Sequence, residues 1–255
     1  RPRLRPWRSR QDPPLPFARL VNDGARDDGA QTIEDSLALL RAAIDDGISH
    51  VVCTPHIQLG RFDNTIDIIQ KTFDELQAHV IEESLAIKLA YAAEVRICPE
   101  IMLLAKQNKL PFIGAWQHSN VLLLELPHSH IPPGTEQLLT WLNKNNIIPM
   151  IAHPERNRDI IADVNKFNRL TRADCLYQIT ASSLCGDFGE VPQQISEMLL
   201  REDKVTIIAT DAHSIKRRPP KLSKAAQLAA DIVGYDKAQQ LVFDTPKLIS
   251  AAKFT

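Results

Sequence analysis

The chain has 255 residues, 44% of them hydrophobic and 24% charged, with 30 basic against 31 acidic side chains and a net charge of −1. Such a composition suits a globular protein with a sizeable core, and the length fits one large domain, since α/β barrels often exceed the usual ~100–200 residues. The balanced charge gives no global electrostatic reason to expect nucleic acid or an anionic membrane as partner. No apolar run approaches the roughly 20 residues of a membrane span. Four cysteines without a CxxC pair fit free thiols in a reducing compartment, so a cytoplasmic location is expected. The basic stretch 1–10 is followed by no apolar region of a secretory signal.

Residues 1–16 carry Arg at positions 1, 3, 5, 8 and 10 and Pro at 2, 6, 13, 14 and 16, which excludes a regular helix or central strand. They read as an atypical segment, disordered or artefactual, ahead of a single domain over 17–255; a basic partner-binding arm is the alternative. From Asp28 onward short apolar runs alternate with amphipathic segments. Thr32-Ile33-Glu34-Asp35 opens a helix whose Leu37, Leu40, Ala43 and Ile44 recur at helical spacing up to Gly47. A strand over 48–53 is broken by Thr54-Pro55, leaving His56 just beyond its end. There follow a helix over 65–83, a strand over 86–92 with Glu94 after it, a helix over 99–108, and a strand over 120–124 leading directly into Glu125. A helix over 135–144 precedes a strand over 147–152, which ends in His153-Pro154-Glu155-Arg156. A strand over 175–179 runs into Thr180-Ala181-Ser182-Ser183; after a helix over 193–201, a strand over 205–209 delivers Thr210-Asp211-Ala212-His213. Helices over 221–233 and 236–250 close the chain.

Continuous rather than alternating apolar strands, separated by helices, point to a parallel sheet covered by helices on its outer face. Residues 15–21 would supply a seventh strand. A barrel and an open doubly wound sheet both fit. Strands along the whole chain deliver polar residues at their C-terminal ends, where barrel active sites are built, and this favours the barrel.

Those strand ends gather His56, Glu94, Glu125, His153, Asp211 and His213, a nitrogen-and-oxygen donor set suited to Mn, Fe or Zn rather than to a thiolate-rich structural zinc site. Singly, each is more often a cap or surface group; the recurrence carries the reading. More than four donors imply more than one ion, and adjacent cations bind phosphoryl oxygens and generate hydroxide near neutral pH. Arg156, three residues after His153, and Arg218, in Lys216-Arg217-Arg218-Pro219-Pro220, offer the planar fork that matches phosphate. A surface salt bridge is the plain alternative, above all for Arg217. His50, His79, His118, His128 and His130 lack the strand-end placement and read as solvated or structural, with His128 and His130 as candidate rim residues. A cysteine mechanism needs Cys-x5-Arg, but the residues six beyond Cys53, Cys98, Cys175 and Cys185 are Leu59, Leu104, Ala181 and Val191.

The motifs Asp27-Asp28-Gly29-Ala30, Thr54-Pro55-His56, Ala93-Glu94-Val95-Arg96, Leu124-Glu125, Ala152-His153-Pro154-Glu155-Arg156, Gln178-Ile179-Thr180-Ala181-Ser182 and Thr210-Asp211-Ala212-His213 with Arg218-Pro219-Pro220 resemble the bacterial PHP-type protein-tyrosine phosphatases of capsule and exopolysaccharide operons. The resemblance implies a distorted (β/α)7 TIM-like barrel of the PHP type and a trinuclear site, usually of Mn2+ with other divalent metals as the alternative, which becomes two or three ions where two of its ligands are lacking. It implies Asp28, His56 and His213 around one metal, Glu94, Glu125 and His153 around another, and Glu94 with Asp211 at a third. Arg156 and Arg218 match the family's phosphate-binding arginines, and the implied partner is a phosphotyrosine-bearing bacterial tyrosine kinase that controls polysaccharide synthesis. The family opens with a His-x-His strand, whereas here the ungapped match places Arg19 and Val21 there, and no histidine precedes His50.

Three readings follow: a phosphotyrosine phosphatase, a PHP phosphatase of a small phosphomonoester such as histidinol phosphate, and a degenerate member that binds without turnover because the His-x-His is missing. The abrupt Arg/Pro-rich composition suggests that foreign sequence replaces the first strand. Resequencing the 5′ region of the gene is expected to recover His-x-His codons; an intact frame without them rejects that origin.

Overall fold

The computed structural model describes residues 18–20 and 29–254, so the expectations for residues 1–16 and for Asp28 lie outside the described residues. Its strands are β1 (Ala18–Leu20), β2 (His50–Cys53), β3 (His56–Ile57), β4 (Lys88–Tyr91), β5 (Glu94–Arg96), β6 (Gly114–Trp116), β7 (Ser119–Glu125), β8 (Ile147–Ala152), β9 (Leu176–Thr180) and β10 (Ile207–Ala209). One parallel ladder runs β1-β2-β4 and a second runs β3-β5-β7-β8-β9-β10.

The two ladders are parts of one surface. β2 and β3 are successive pieces of a single run parted at Thr54-Pro55, where proline has no N–H to give to a ladder. β4 and β5 are parted at Ala92-Ala93. Across the gap Ala92 N–H donates to Cys53 O at 2.8 Å and Glu94 N–H to Pro55 O at 3.0 Å, so the hydrogen bonding is continuous. Seven parallel runs result, matching the expected number, and β6 adds an antiparallel hairpin to β7. Among the described residues β1 and β10 share no ladder.

Side chains alternate across the strands. Val52, Ala90, Leu123, Met150 and Ile207 form one cluster with Ile113 and Ile249, while Val51, Leu89, Leu122, Leu124, Ile151 and Ile208 pack into the cluster that includes the helices. Burial on both faces explains why the strands read as unbroken apolar runs.

The helices are α1 (Ile33–Asp45), α2 (Ile66–Glu82), α3 (Ile101–Lys106), α4 (Thr135–Lys144), α5 (Arg158–Ala162), α6 (Ala181–Leu184), α7 (Glu190–Arg201), α8 (Ser223–Val233), α9 (Tyr235–Gln239) and α10 (Thr245–Ser250). Thr32 caps α1 by accepting from Asp35 N–H and Thr65 caps α2 by accepting from Ile68 N–H, as the sequence signals require. Five features depart from expectation. The β6 hairpin, α5 with the 3₁₀ stretch Val164–Arg172, and α6 occupy segments read as connections, and α7 begins at Glu190 rather than 193. The single helix expected over 236–250 is instead α9, a π-helical turn at Gln240–Asp244, and α10. Pro246 stands at the start of α10, and its missing N–H prevents a regular helical bond at that point. None of the described helices is long and apolar enough to cross a membrane.

α8 lacks a capping side chain from its own preceding residue. Asp46, at the end of α1, accepts from Leu222 N–H (2.6 Å), Ser223 N–H (2.9 Å) and Ser223 Oγ–H (2.6 Å), a carboxylate at a helix N-terminus where charge is favourable.

β6 approaches α10 closely enough to require glycine at its first position. A Cβ on Gly114, at φ +150°, would lie 1.9 Å from Ile249 O and 2.7 Å from Ile249 C, whereas one on Gly60, at φ +79°, meets nothing within 4 Å. Urea unfolding is expected to show Gly114→Ala destabilised by about 3 kcal/mol, the upper range for overpacking, and Gly60→Ala by only about 1 kcal/mol, the left-handed backbone penalty.

Candidate metal centre

The parallel register sets the spacing of the site. His56 at the start of β3 lies beside Glu94 at the start of β5, Arg96 lies beside Glu125, and Glu125 at the end of β7 lies beside Ala152. His153 follows at once, anchored by its N–H to Gln178 O at 2.8 Å. It leaves β8 with φ +35°, and Asp211 follows β10 with φ +50°, left-handed values uncommon outside glycine.

Three carboxylates are buried here: Glu94 is 0%, Glu125 1% and Asp211 1% exposed. His153 Nε2 lies 2.9 Å from Glu94 Oε1 and 3.8 Å from Glu125 Oε1, and His56 Nδ1 lies 3.6 Å from Glu125 Oε2. Arg96 Nε donates to Glu125 Oε2 at 2.9 Å. Arg156 Nη1 at 2.7 Å and Arg218 Nη1 at 3.2 Å both donate to Asp211 Oδ2. His213 Nδ1 lies 2.7 Å from the Asp211 carbonyl oxygen, a contact that makes Nδ1–H the donor. Phe62 stacks on His56, with ring centroids 5.5 Å apart.

His56, Glu125, His153, Asp211 and His213 open onto one cavity of about 450 Å3, walled also by Arg156, Arg218 and Phe188. His56 and Glu125 on its wall, with Glu94 buried behind them, hold ligand atoms all within 4.8 Å of one another, as do Glu125, His128 and His153. The donors are imidazole nitrogens and carboxylate oxygens, which fit divalent ions of the Mn, Fe and Zn class. Buried carboxylates this close repel unless positive charge stands among them. Asp211 and His213 share the cavity but belong to neither group among the described residues.

Neighbouring residues hold these groups in place. The Arg156 guanidinium lies 4.7 Å over the Phe188 ring, a cation–π contact. Buried Glu155 accepts from Thr180 N–H at 2.9 Å and Ser183 Oγ–H at 2.7 Å, fixing the turn that carries His153 and Arg156. Burial pushes the Glu155 carboxyl up from its ordinary range, against the lowering effect of the Ser183 bond. No cysteine lies on the cavity wall. Burial pushes the Cys53 and Cys175 thiols up to about 12 and Cys185 up to about 11, which removes the thiolate a cysteine nucleophile needs.

Sequence reasoning passed over three participants. His128, read as a rim or solvated residue, stacks on His153 at 5.7 Å with rings 22° apart, and its Nε2 lies 3.8 Å from Glu125 Oε1. Burial, and then the positive charge of Arg156, lowers its pKa. Its position three residues after Glu125 was the available signal. Arg96 stands inside the motif Ala93-Glu94-Val95-Arg96 but had no role assigned, and Phe188, between Gly186 and Gly189, gave no signal.

Residues 24–250 match the family described as capsular polysaccharide synthesis, CpsB/CapC. The chain is 35% identical over 193 residues to CapC of Staphylococcus aureus, covering 76% of this chain and 74% of that protein. It is 34% identical over 195 residues to the tyrosine-protein phosphatase YwqE of Bacillus subtilis, covering 76% and 75%. A solved structure described as YwqE from Bacillus subtilis and CpsB from Streptococcus pneumoniae, metal-dependent tyrosine phosphatases, superposes with a TM-score of 0.84 at 28% identity, covering 93% of this chain and 95% of that one. The histidinol phosphate phosphatase of Lactococcus lactis superposes with a TM-score of 0.53 at 13% identity over 88% of this chain and 94% of that one, a likeness of fold alone. With the family match spanning nearly every described residue, the chain belongs to the CpsB/CapC family of capsular polysaccharide synthesis.

Proposed function

We propose that the chain is a metal-dependent protein-tyrosine phosphatase. Its substrate is phosphotyrosine on a bacterial tyrosine kinase that regulates capsule or exopolysaccharide synthesis, its site holds two or three Mn2+ ions, and it works in the cytoplasm as a single domain over 17–255. The observation that carries this is a buried carboxylate and imidazole cluster in a cavity that also holds the guanidinium groups of Arg156 and Arg218. The activity named for YwqE supports the choice of phosphotyrosine.

His56, Glu94, Glu125 and His153 would hold the metal, with Asp211, His213 and Asp28 completing the set. When bound, the ions supply a hydroxide nucleophile near neutral pH and positive charge for the reacting phosphoryl group. Arg156 and Arg218 bind the phosphoryl oxygens; their shared partner Asp211 and the Phe188 ring hold the two forks at one wall of the cavity. A planar guanidinium is suited to this because it gives two parallel donors to one anion. The leaving phenolate has a parent pKa of about 10, so its departure makes small demands on a general acid.

One observation favours the second reading, a phosphotyrosine-binding protein without turnover. Both arginines are engaged by Asp211, an arrangement that also serves a purely anion-binding wall. Hydrolysis of a small phosphomonoester has only the fold likeness to histidinol phosphate phosphatase behind it.

With a phosphotyrosine peptide, turnover is expected to vanish in EDTA, return with Mn2+ and survive thiol alkylation. His153→Ala and Asp211→Ala are expected to reduce kcat by at least about 100-fold. Saturable peptide binding with no turnover under any divalent metal establishes the non-catalytic reading. For the anion wall, Arg156→Ala and Arg218→Ala should each lower kcat/KM by about 10²–10³-fold, the range for losing one donor to developing charge.

A further inference from the structure

We propose that His128 is a metal ligand, joining Glu125 and His153 to hold a divalent cation at the mouth of the cavity. This rests on reading the cluster as a metal centre, but it adds a donor that the strand-end pattern does not contain.

The geometry converges on one oxygen. The Nε2 atoms of His128 and His153 each lie 3.8 Å from Glu125 Oε1, and the three ligand atoms lie within 4.8 Å of one another. Donors sharing one ion at bonds of about 2.1 Å stand roughly 3–3.5 Å apart, so side-chain rotation suffices to close the set. Glu125 also belongs to the group with His56 and Glu94, and its two oxygens face different imidazoles: Oε1 those of His128 and His153, Oε2 that of His56. A carboxylate so placed can serve two neighbouring ions.

The plain alternative is a solvated rim imidazole, since the His128 side chain is 52% exposed. The loop argues against it. Asn157, itself buried, donates through Nδ2 to Pro127 O at 2.7 Å and His130 O at 3.1 Å. Arg158 N–H donates to His128 O at 2.8 Å, and Ile131 N–H donates to Asp159 Oδ2 at 2.9 Å. Four bonds from the segment 157–159 therefore fix the backbone on both sides of His128, and the stack on His153 fixes its ring. A ligand must be held in this way before the ion arrives.

The test uses the full chain, stripped of metal by chelator and titrated with Mn2+ by calorimetry, with bound metal counted by elemental analysis. His128→Phe keeps an aromatic ring against His153 but removes the donor; His128→Asp restores an oxygen donor. His128→Phe is expected to weaken one Mn2+ site by at least the 10–100-fold that even a supporting partner is worth, and His128→Asp to recover part of that loss. Native-like circular dichroism of both variants ensures that the comparison reports on binding. If His128→Phe binds Mn2+ as the unmodified chain does while His153→Ala weakens it, His128 is not a ligand and the metal centre stands. If His153→Ala also leaves Mn2+ binding unchanged, the metal reading itself falls and the proposal with it.

Discussion

The face at the C-terminal ends of the strands is governed by the need to balance three carboxylates that have almost no contact with water. An ionised carboxylate in such surroundings is several kcal/mol unfavourable unless charge and hydrogen bonds compensate it. Arg96 answers Glu125, Arg156 and Arg218 answer Asp211, and the His153 imidazole meets Glu94. These partners come from three strand ends: Arg96 from β5, His153 and Arg156 from beyond β8, and Arg218 from the loop beyond β10. The arrangement of that face is therefore a charge-matching problem solved by the sheet, and a divalent ion is the partner best able to serve several of these oxygens at once.

The sheet solves it by interrupting two of its own strands. The breaks at Thr54-Pro55 and Ala92-Ala93 fall beside each other, and His56 and Glu94 begin the resumed segments as register partners. Were either run unbroken, the alternation of side chains along a strand would decide its direction by parity alone. The paired interruptions bring both side chains into one cluster with Glu125 while backbone bonds still cross the gap.

Much of this was legible in the chain. Apolar runs ending in His, Glu or Asp are local patterns, and so are the helix starts at Thr32 and Thr65, because capping depends on residues three apart. That the strands run parallel followed from their alternation with helices, and the barrel order from the polar residues at so many of their C-terminal ends. What was illegible depends on contacts distant in sequence. The Pro127-His128-Ser129-His130 stretch reads as an ordinary loop; the segment 157–159, about thirty residues on, fixes where it lies. The three-residue strand β6 is too short for any periodicity to register. Nothing around Asp211 announces that its carboxylate will be shared by arginines from two separate loops. The Arg/Pro-rich composition of residues 1–16 marked them as different without indicating what they do.

The capping of α8 by Asp46 bears on how the chain is made. Asp46 and Ser223 are 177 positions apart, so during synthesis the carboxylate leaves the ribosome long before the helix it starts. At roughly 5–20 residues per second, it waits on the order of ten seconds or more for its partner. The early α1 and β2 segments cannot acquire this tie until the strands have been translated, so this part of the fold is completed only near the end of synthesis.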